Sequence, residues 1–242
     1  MGPHVELILA SASPARLATL HAAGIDPVVH VSHVDEDAVL AEALAQDPAL
    51  DPAGQVLALA RAKARDVRAR AGAGEFGAGA LILGCDSMLE IDGQVLGKPH
   101  TPEVAFRRIK QQSGRAAVLH TGHWLIDARA AAPFPEAGAT SHATVHFQDL
   151  TDEEIRAYVA TGEPLEVAGA FTIDGLGGPF IRGIEGDHHG VVGVSLPLLR
   201  DLARQFGVAV PQLWGGGAVA GGPPTRKRGG KRPRDRGGEG RG

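Results

Sequence analysis

The sequence predicts an α/β fold in which a mixed β-sheet is flanked by helices, and three observations point to it. Short apolar runs typical of buried strands alternate along the chain with segments that carry helical periodicity and capping residues. Apolar residues make up 43% of the 242 residues, which is enough to build a core. Cys85 is the only cysteine, so a disulfide framework is excluded.

The first third of the chain predicts two strands and three helices. Ser13 followed by Pro14 indicates the start of the first helix, which ends at Gly24. The other predicted elements here are strands at 5–10 and 27–32, an acidic loop at 35–37, helices at 39–45 and 55–70, and a loop at 72–79.

The clearest predicted strand covers residues 80–91, and its apolar start indicates a central place in the sheet. The Asp92-Gly93 pair that follows is a strong hairpin signal. The remaining predicted elements are a helix at 102–112, strands at 117–126 and 139–147, a helix opened by a capping box at Thr151, a short strand at 180–184, a loop at His188-His189, and a helix at 195–206.

Charge divides the chain into two parts. Residues 215–242 are rich in Gly and Arg and carry a net charge of +6, while the remainder carries −10. We therefore expect a folded domain over residues 1–214 and a disordered basic tail, because the tail has too few apolar residues to form a core. A solvated extension is the favoured interpretation of the tail, and contact with nucleic acid by counterion release is the alternative.

Two absences bear on location. No apolar run reaches the roughly 18–20 residues that a membrane-spanning helix needs. The N-terminus also lacks the basic segment of a signal peptide. We therefore expect a cytoplasmic protein without a membrane partner.

Residues 11–16 (SASPAR) lie between the predicted first strand and first helix. The free N–H groups of a helix N-terminus, the Ser13 hydroxyl and the Arg16 guanidinium are groups that bind phosphate. The segment matches neither the Rossmann nor the P-loop pattern. An ordinary capped helix start is the alternative interpretation.

Three further charged residues are candidates. Asp86 follows the apolar start of a central strand, and a carboxylate at the end of such a strand can hold a divalent metal or accept a proton from water. Lys98 follows the hairpin in GQVLGKP, where Pro99 replaces the Ser or Thr of a Walker motif. Lys63 should point partly toward the core from a helix lined by Ala and Leu. The alternatives are a turn Asp, a solvated Lys98 and a Lys63 whose ammonium reaches solvent.

The histidines do not predict a metal centre. His120 and His123 have an odd spacing, which places them on opposite faces of a strand. No cysteine cluster or His-Glu motif supports zinc. Cys85 is interpreted as a small buried hydrophobe.

Taken together, these segments resemble the Maf family of nucleoside triphosphate pyrophosphatases. The matching segments are LASASPARLATL, LALARAKA, GCDSMLEIDGQVLGKP, QQSGR and most of residues 151–199. They follow one another in the family's order and span about residues 5–207, which leaves out the tail.

The resemblance implies two lobes around a central cleft, a frequent homodimer, and hydrolysis of a nucleoside triphosphate to the monophosphate and pyrophosphate. Asp86 falls on the family's catalytic acidic position. Glu36 falls on a second acidic position that, with Asp86, is implied to hold Mg²⁺ or Mn²⁺. The positions implied to contact the phosphates of the substrate are Ser13, Arg16, Lys63 and Lys98.

The chain departs from the best-described branch of the family at positions implied to govern base choice. Ala15 replaces an Arg, Ser87 replaces a Thr, and Asp174 replaces a Gln. Ala117 also stands where that branch has a His. The reaction class therefore carries over better than the identity of the base.

Two other functions stay open on the sequence. One is a pyrophosphatase of a neighbouring family with a similar fold, acting on deaminated purine nucleotides. The other is a non-catalytic regulator of septum formation or cell division that binds nucleic acid or a protein through the basic tail.

Overall fold

The computed structural model describes residues 2–71, 80–130 and 132–215. Its strands are β1 (Glu6–Leu9), β2 (Val28–Val29), β3 (Ala80–Ile91), β4 (Gln94–Leu96), β5 (Ala116–Asp127), β6 (Glu136–Phe147) and β7 (Ile181–Gly186). Its α-helices are α1 (Pro14–Ala22), α2 (Glu36–Gln46), α3 (Pro52–Arg70), α4 (Pro102–Gln112), α5 (Asp152–Ala160), α6 (His188–Val192) and α7 (Leu196–Gln205).

The strands form one mixed sheet in the order β2-β1-β3-β5-β6-β7, with β4 paired to β3 as well. β1 runs parallel to β2 and β3, and the other pairs are antiparallel. Helices pack on both faces of this sheet. The predicted α/β fold with a mixed sheet is confirmed.

The sheet forks along one edge of β3. β1 pairs with residues 80–83 and β4 pairs with residues 89–91, while β5 pairs with residues 81–90 along the opposite edge. In the described part of the chain, residues 84–88 therefore have no strand beside them on the forked edge. A cleft of about 480 Å³ opens at this gap. It separates the segments around β1 and α1 from those after α5, as expected for two lobes around a cleft.

α3 lies unusually close to β3 and β5 because two glycines face it. A Cβ at Gly84 would meet the backbone carbonyl of Ala60, and one at Gly122 would meet that of Val56. Without side chains at these two positions the helix can rest on the strands. The close approach brings Lys63 of α3 within reach of β3.

The opposite face of β3 packs against α1 and α7. Leu81, Leu83 and Cys85 share a core cluster there with Leu20 of α1 and Leu199 of α7. Side chains of a strand alternate between faces, so Cys85 and Ser87 lie on this side and Asp86 lies on the α3 side. The gap in the sheet lets groups from both faces reach one cleft.

Two predicted loops are wrong. Asp35 caps α2 by accepting a hydrogen bond from the backbone N–H of Ala38, so Glu36 opens a helix instead of lying in an acidic loop. Asp187 caps α6 in the same manner, so His188 and His189 are helical. Aspartate is a preferred N-cap residue, and a carboxylate is favourable at a helix N-terminus, so Asp35 and Asp187 each mark the start of a helix.

The other elements agree closely with the sequence prediction. β3 and α4 have the predicted bounds, and α5 begins with the predicted capping box at Thr151. The second strand is shorter than predicted, at two residues. The loop predicted at 72–79 and, from residue 216 on, the tail predicted at 215–242 lie outside the described residues. None of the described helices has both the length and the apolar composition to cross a membrane.

Candidate active site

The segment between β1 and α1 holds Arg16 in a buried position. Ser13 caps α1 by accepting a hydrogen bond from the Arg16 backbone N–H at 3.4 Å, and Pro14 occupies the first helical turn. The Ser11 hydroxyl accepts a second bond, from the Ser13 backbone N–H at 3.2 Å. The cap fixes the first turn of the helix, and the Arg16 side chain extends from it with 9% of its surface exposed.

The guanidinium of Arg16 is held by neutral groups. It donates to Ser11 Oγ at 2.9 Å, to Ser87 Oγ at 3.2 Å and to the Gly193 carbonyl at 3.0 Å. No carboxylate among the described residues forms an ion pair with it. A buried cation that lacks a paired anion is suited to bind an anionic ligand.

A chain of hydroxyl groups orients Ser87 toward Arg16. The Thr121 hydroxyl donates its single hydrogen to the Gly190 carbonyl at 2.8 Å. Ser87 Oγ, which lies 2.9 Å from Thr121 Oγ1, must therefore donate to Thr121 and accept from Arg16. Thr121 could not be singled out from the sequence, because its contact with Ser87 depends on the register between β3 and β5.

On the other face of β3, one ammonium joins two carboxylates. Lys63 Nζ lies 2.6 Å from Asp86 Oδ1 and 2.7 Å from Glu36 Oε1. Lys63 and Asp86 are both buried, whereas the Glu36 side chain is half exposed at the start of α2. The cluster therefore connects three elements, α2, α3 and β3, at the wall of the cleft.

Burial and charge act differently on the two acids. Burial raises the pKa of Asp86, and the nearby cations Lys63 and Arg16 offset only part of this effect. Burial also works against the charge of Glu36, but Lys63, Lys98 and Arg16 together lower its pKa. Asp86 is thus the acid of the pair that is better suited to take up a proton.

The structure brings all nine candidate residues of the sequence to the same cleft. Lys98 and Asp174 lie exposed at its rim, and Ala15 is half buried beside Arg16. The residues that line it are Ser13, Ala15, Arg16, Glu36, Lys63, Asp86, Ser87, Lys98 and Asp174. Glu166 and Thr172 also line it, and neither stood out in the sequence.

The expected position of Asp86 at the end of its strand is wrong. Asp86 lies in the middle of β3, because β5 pairs with this strand through Glu90. The strand that ends here is the neighbouring β1, whose last residue is Leu9. Asp86 is therefore close to the carboxyl end of a parallel strand, where α/β sheets bind ligands. That strand is the neighbouring β1, and not β3 itself.

Cys85 and His123 are buried beside the cleft and take no direct part in it. Burial raises the pKa of the Cys85 thiol to about 12, so this sulfur is not a nucleophile at neutral pH. His123 Nδ1 donates to the Thr121 carbonyl at 3.0 Å, and Nε2 accepts from the Ser195 backbone N–H at 2.8 Å. Burial lowers the pKa of this imidazole to about 4, and the neutral ring caps the entry to α7.

Five of the other ten histidines lie within 4.0 Å of a carboxylate oxygen. His120 contacts Glu90 at 2.8 Å, as neighbours on adjacent strands. Among the described residues, one set of three potential metal ligands lies together, formed by Asp187, His188 and His189. In this set, Asp187 Oδ1 accepts the backbone N–H of His189 as the cap of α6, whereas Asp187 Oδ2 is buried and makes no hydrogen bond.

Known proteins resemble this chain over nearly all of its described length. Residues 6–206 match the family described as Maf-like protein. A protein of Nocardia farcinica (strain IFM 10152) is 57% identical over 208 residues, which are 86% of this chain and 96% of that protein. One of Leifsonia xyli subsp. xyli (strain CTCB07) is 55% identical over 216 residues, which are 89% of this chain and 100% of that protein.

Both relatives carry the name nucleoside triphosphate pyrophosphatase. A Streptomyces avermitilis protein of the same name is 50% identical over 212 residues, 88% of this chain and 96% of its own length. The match to the family covers both lobes and every residue that lines the cleft. The chain belongs to the Maf family.

Proposed function

We propose that this protein hydrolyses nucleoside triphosphates to the nucleoside monophosphate and pyrophosphate. The proposal rests on one observation: three cations and two acids line the same cleft. The cations are Arg16, Lys63 and Lys98, and the acids are Glu36 and Asp86. Relatives at 50–57% identity bear the name of this activity. The cations suit the phosphate chain, and the acids suit a metal ion and an attacking water.

Phosphate binding by this cleft requires local positive charge, because the chain up to the tail carries −10. A triphosphate adds about four negative charges, which only nearby cations can offset. Arg16 is the strongest candidate, since its guanidinium is buried and hydrogen-bonded only to neutral acceptors. Lys98 at the rim and the N-terminal turn of α1 at Ser13 extend the same positive surface.

The donor set also fits a divalent cation. Glu36 and Asp86 both place a carboxylate oxygen within 2.7 Å of one positive charge, the Lys63 ammonium. Mg²⁺ and Mn²⁺ prefer oxygen ligands, and Mg²⁺ is commonly held by one or two carboxylates together with substrate phosphates and water. Glu36 and Asp86 would hold the ion. When bound, it would neutralise part of the charge on the phosphate chain.

Asp86 is the proposed general base. Its raised pKa favours uptake of a proton from the water that attacks the α-phosphorus. A bond forms between the water oxygen and this phosphorus, and the bond to the oxygen that bridges to the β-phosphorus breaks. Arg16 and Lys98 stabilise the charge that gathers on the departing pyrophosphate.

Base choice is assigned to Ala15, Ser87 and Asp174, which lie in the cleft on three separate segments. Asp174 carries a carboxylate, which accepts hydrogen bonds and does not donate them when ionised. It therefore suits an amino group or ring N–H of the base better than a carbonyl. Assembly as a homodimer and a cytoplasmic location stay predictions.

A nucleotide panel tests the proposal. Purified protein is incubated with triphosphates of different bases and with Mg²⁺ or Mn²⁺, and the monophosphate and pyrophosphate are quantified. Asp86→Asn should lose nearly all turnover, by about 10³-fold or more, and still fold and bind nucleotide. Release of orthophosphate instead of pyrophosphate, or near-normal turnover in Asp86→Asn, would contradict the proposed reaction.

Glu36 has a neighbour that serves as a matched control. Glu36→Gln removes a carboxylate that contacts Lys63, and it should weaken turnover most at low metal concentration. Asp37→Asn removes the same charge one position later in the first turn of α2, at an exposed side chain outside the cleft. Equal effects of the two substitutions would show that only overall charge matters.

A further inference from the structure

The half-buried carboxylate of Glu163 accepts four hydrogen bonds. Its Oε1 accepts from the Tyr158 hydroxyl at 3.0 Å, the Thr172 hydroxyl at 2.6 Å and the Gly177 backbone N–H at 3.1 Å. Its Oε2 accepts from the Leu176 backbone N–H at 3.0 Å. An ionised carboxylate carries no hydrogen, so each of these groups donates.

Three of the four donors belong to one turn, residues 172–177. This turn carries Asp174, and Thr172, Ile173 and Asp174 line the cleft. Glu163 itself does not line the cleft. Its carboxylate therefore holds the turn from behind, on the side away from a bound ligand.

Close packing shows that the turn fits tightly around this carboxylate. A Cβ at Gly175 would lie 2.6 Å from Glu163 Oε2, and one at Gly177 would lie 2.5 Å from the Tyr158 hydroxyl. Neither glycine has a positive φ, so the reason for glycine here is space. The turn cannot accept larger residues at these positions without losing its contacts to Glu163.

The support behind Glu163 is itself rigid. Tyr158 is buried on α5, where it packs with Ile155, and its hydroxyl also accepts the Thr172 backbone N–H at 3.2 Å. Although burial acts to raise the pKa of Glu163, the donors from Thr172, Leu176, Tyr158 and Gly177 lower it overall. The carboxylate thus stays charged over the whole neutral range.

We infer that Glu163 is a positioning residue for nucleobase selectivity, acting through the turn that places Asp174 at the rim of the cleft. The inference rests on the proposed function. Glu163 would touch neither the base nor the phosphates. Its effect would be to keep the Asp174 carboxylate in the one arrangement that distinguishes bases.

Glu163→Gln is the test, because its amide keeps the shape and replaces one acceptor oxygen by an NH₂ group. At least one N–H or O–H group that donates to Glu163 then faces the NH₂ group of the glutamine, which is itself a donor. We expect the ratio of kcat/KM between the best and worst bases to fall by at least about fivefold. The change should appear in KM for the best base, with kcat altered by less than about twofold.

A double-mutant cycle separates this role from general loss of stability. If Glu163 acts through Asp174, then Glu163→Gln should cause no further change of base selectivity in an Asp174→Ala background. Tyr158→Phe removes one of the four donors to Glu163 and the acceptor of the Thr172 backbone N–H, and it should change selectivity in the same direction. Glu153→Gln, an exposed charge on α5, is the matched control and should leave selectivity unchanged.

The possible outcomes point to different conclusions. Lost selectivity in Glu163→Gln that vanishes in the Asp174→Ala background supports the inference. Unchanged base ratios, or equal effects with and without Asp174, overturn it while the proposed function stands. Absence of turnover with every triphosphate in the unmodified chain overturns the proposed function and the inference together. Should Glu163→Gln not fold, unchanged base ratios in Tyr158→Phe overturn the inference.

Discussion

Arg16 and Ser87 are 71 positions apart in the chain, and the guanidinium Nη2 of Arg16 donates to the Ser87 hydroxyl at 3.2 Å. This bond connects the first turn of α1 to the gap in β3 where the cleft opens. The same guanidinium reaches Gly193, just after α6. Arg16 is thus fixed by three separate segments before any anion arrives.

Thr121→Val should weaken nucleotide binding more than chemistry. Valine keeps the shape of Thr121 but removes the acceptor for Ser87 and the donor to Gly190. Ser87 is then free to rotate, and Arg16 loses a fixed acceptor. We expect KM to rise by about tenfold with a smaller change in kcat, which steady-state kinetics would measure. Thr121→Ser keeps the hydroxyl and should restore KM, and a variant that does not would contradict this role.

Lys63→Met should destabilise the fold. The substitution leaves the buried Asp86 carboxylate without its cation, and losing one partner of a buried pair costs about 3 kcal/mol. The free energy of unfolding from denaturant titration would measure this loss. Adding Asp86→Asn to Lys63→Met removes the unpaired charge and should recover part of the stability. A double variant that is less stable than Lys63→Met would refute this explanation.

His123 should make stability fall as the solution becomes acidic. The pKa of His123 in the folded protein, about 4, lies below the ordinary histidine value. Between these two values the imidazole is protonated in the unfolded chain and neutral in the folded chain. The contribution of His123 to the free energy of unfolding is therefore fully present above about pH 6.5. It declines as the pH drops toward 4, by about 3 kcal/mol in total.

His123→Gln isolates this contribution, because an amide can donate and accept and does not titrate in this range. The stability difference between the unmodified chain and the variant should shrink as the pH falls from 7.5 to 4.5, measured by urea titration at each pH. A difference that stays constant across this range would show that His123 has the same pKa in the folded and the unfolded protein.

Gly84→Ala should push α3 away from the sheet. A Cβ at this position meets the backbone of Ala60 and Ala64, which cannot move independently of the helix. We expect a loss of about 1–3 kcal/mol in unfolding free energy, together with lower turnover, since Lys63 would shift relative to Asp86. Gly183→Ala, where the new Cβ meets nothing within 4 Å, is the control and should cost far less.

The sequence predicts the elements best where local signals agree. α4 has its predicted bounds because a threonine cap, a proline in the first turn and Gly114 beyond the end all indicate the same helix. Lys63 and Asp86 stood out because each is a charge next to apolar residues, and Arg16 stood out because it lies in the segment between a predicted strand and a capped helix start. The structure places them in one cleft, and their roles stay proposals.

The features that sequence reasoning missed depend on contacts between distant segments. Thr121 meets Ser87 only through the pairing of β3 with β5, and Glu163 holds a turn through backbone N–H groups that leave no pattern of residue types. Asp86 borders the cleft because β1 stops at Leu9 while β3 continues to Ile91, and the length of a neighbouring strand cannot be inferred from one segment.

The forked edge of β3 makes the chemistry sensitive to single-residue insertions. Odd-numbered residues of β3 such as Ser87 lie on the face that carries Arg16, and even-numbered residues such as Asp86 lie on the face that carries Lys63. Inserting or deleting one residue between Leu83 and Asp86 would exchange the two sets and aim the acid at Arg16. A point substitution on one face, by contrast, changes the groups on that face and leaves Asp86 in place.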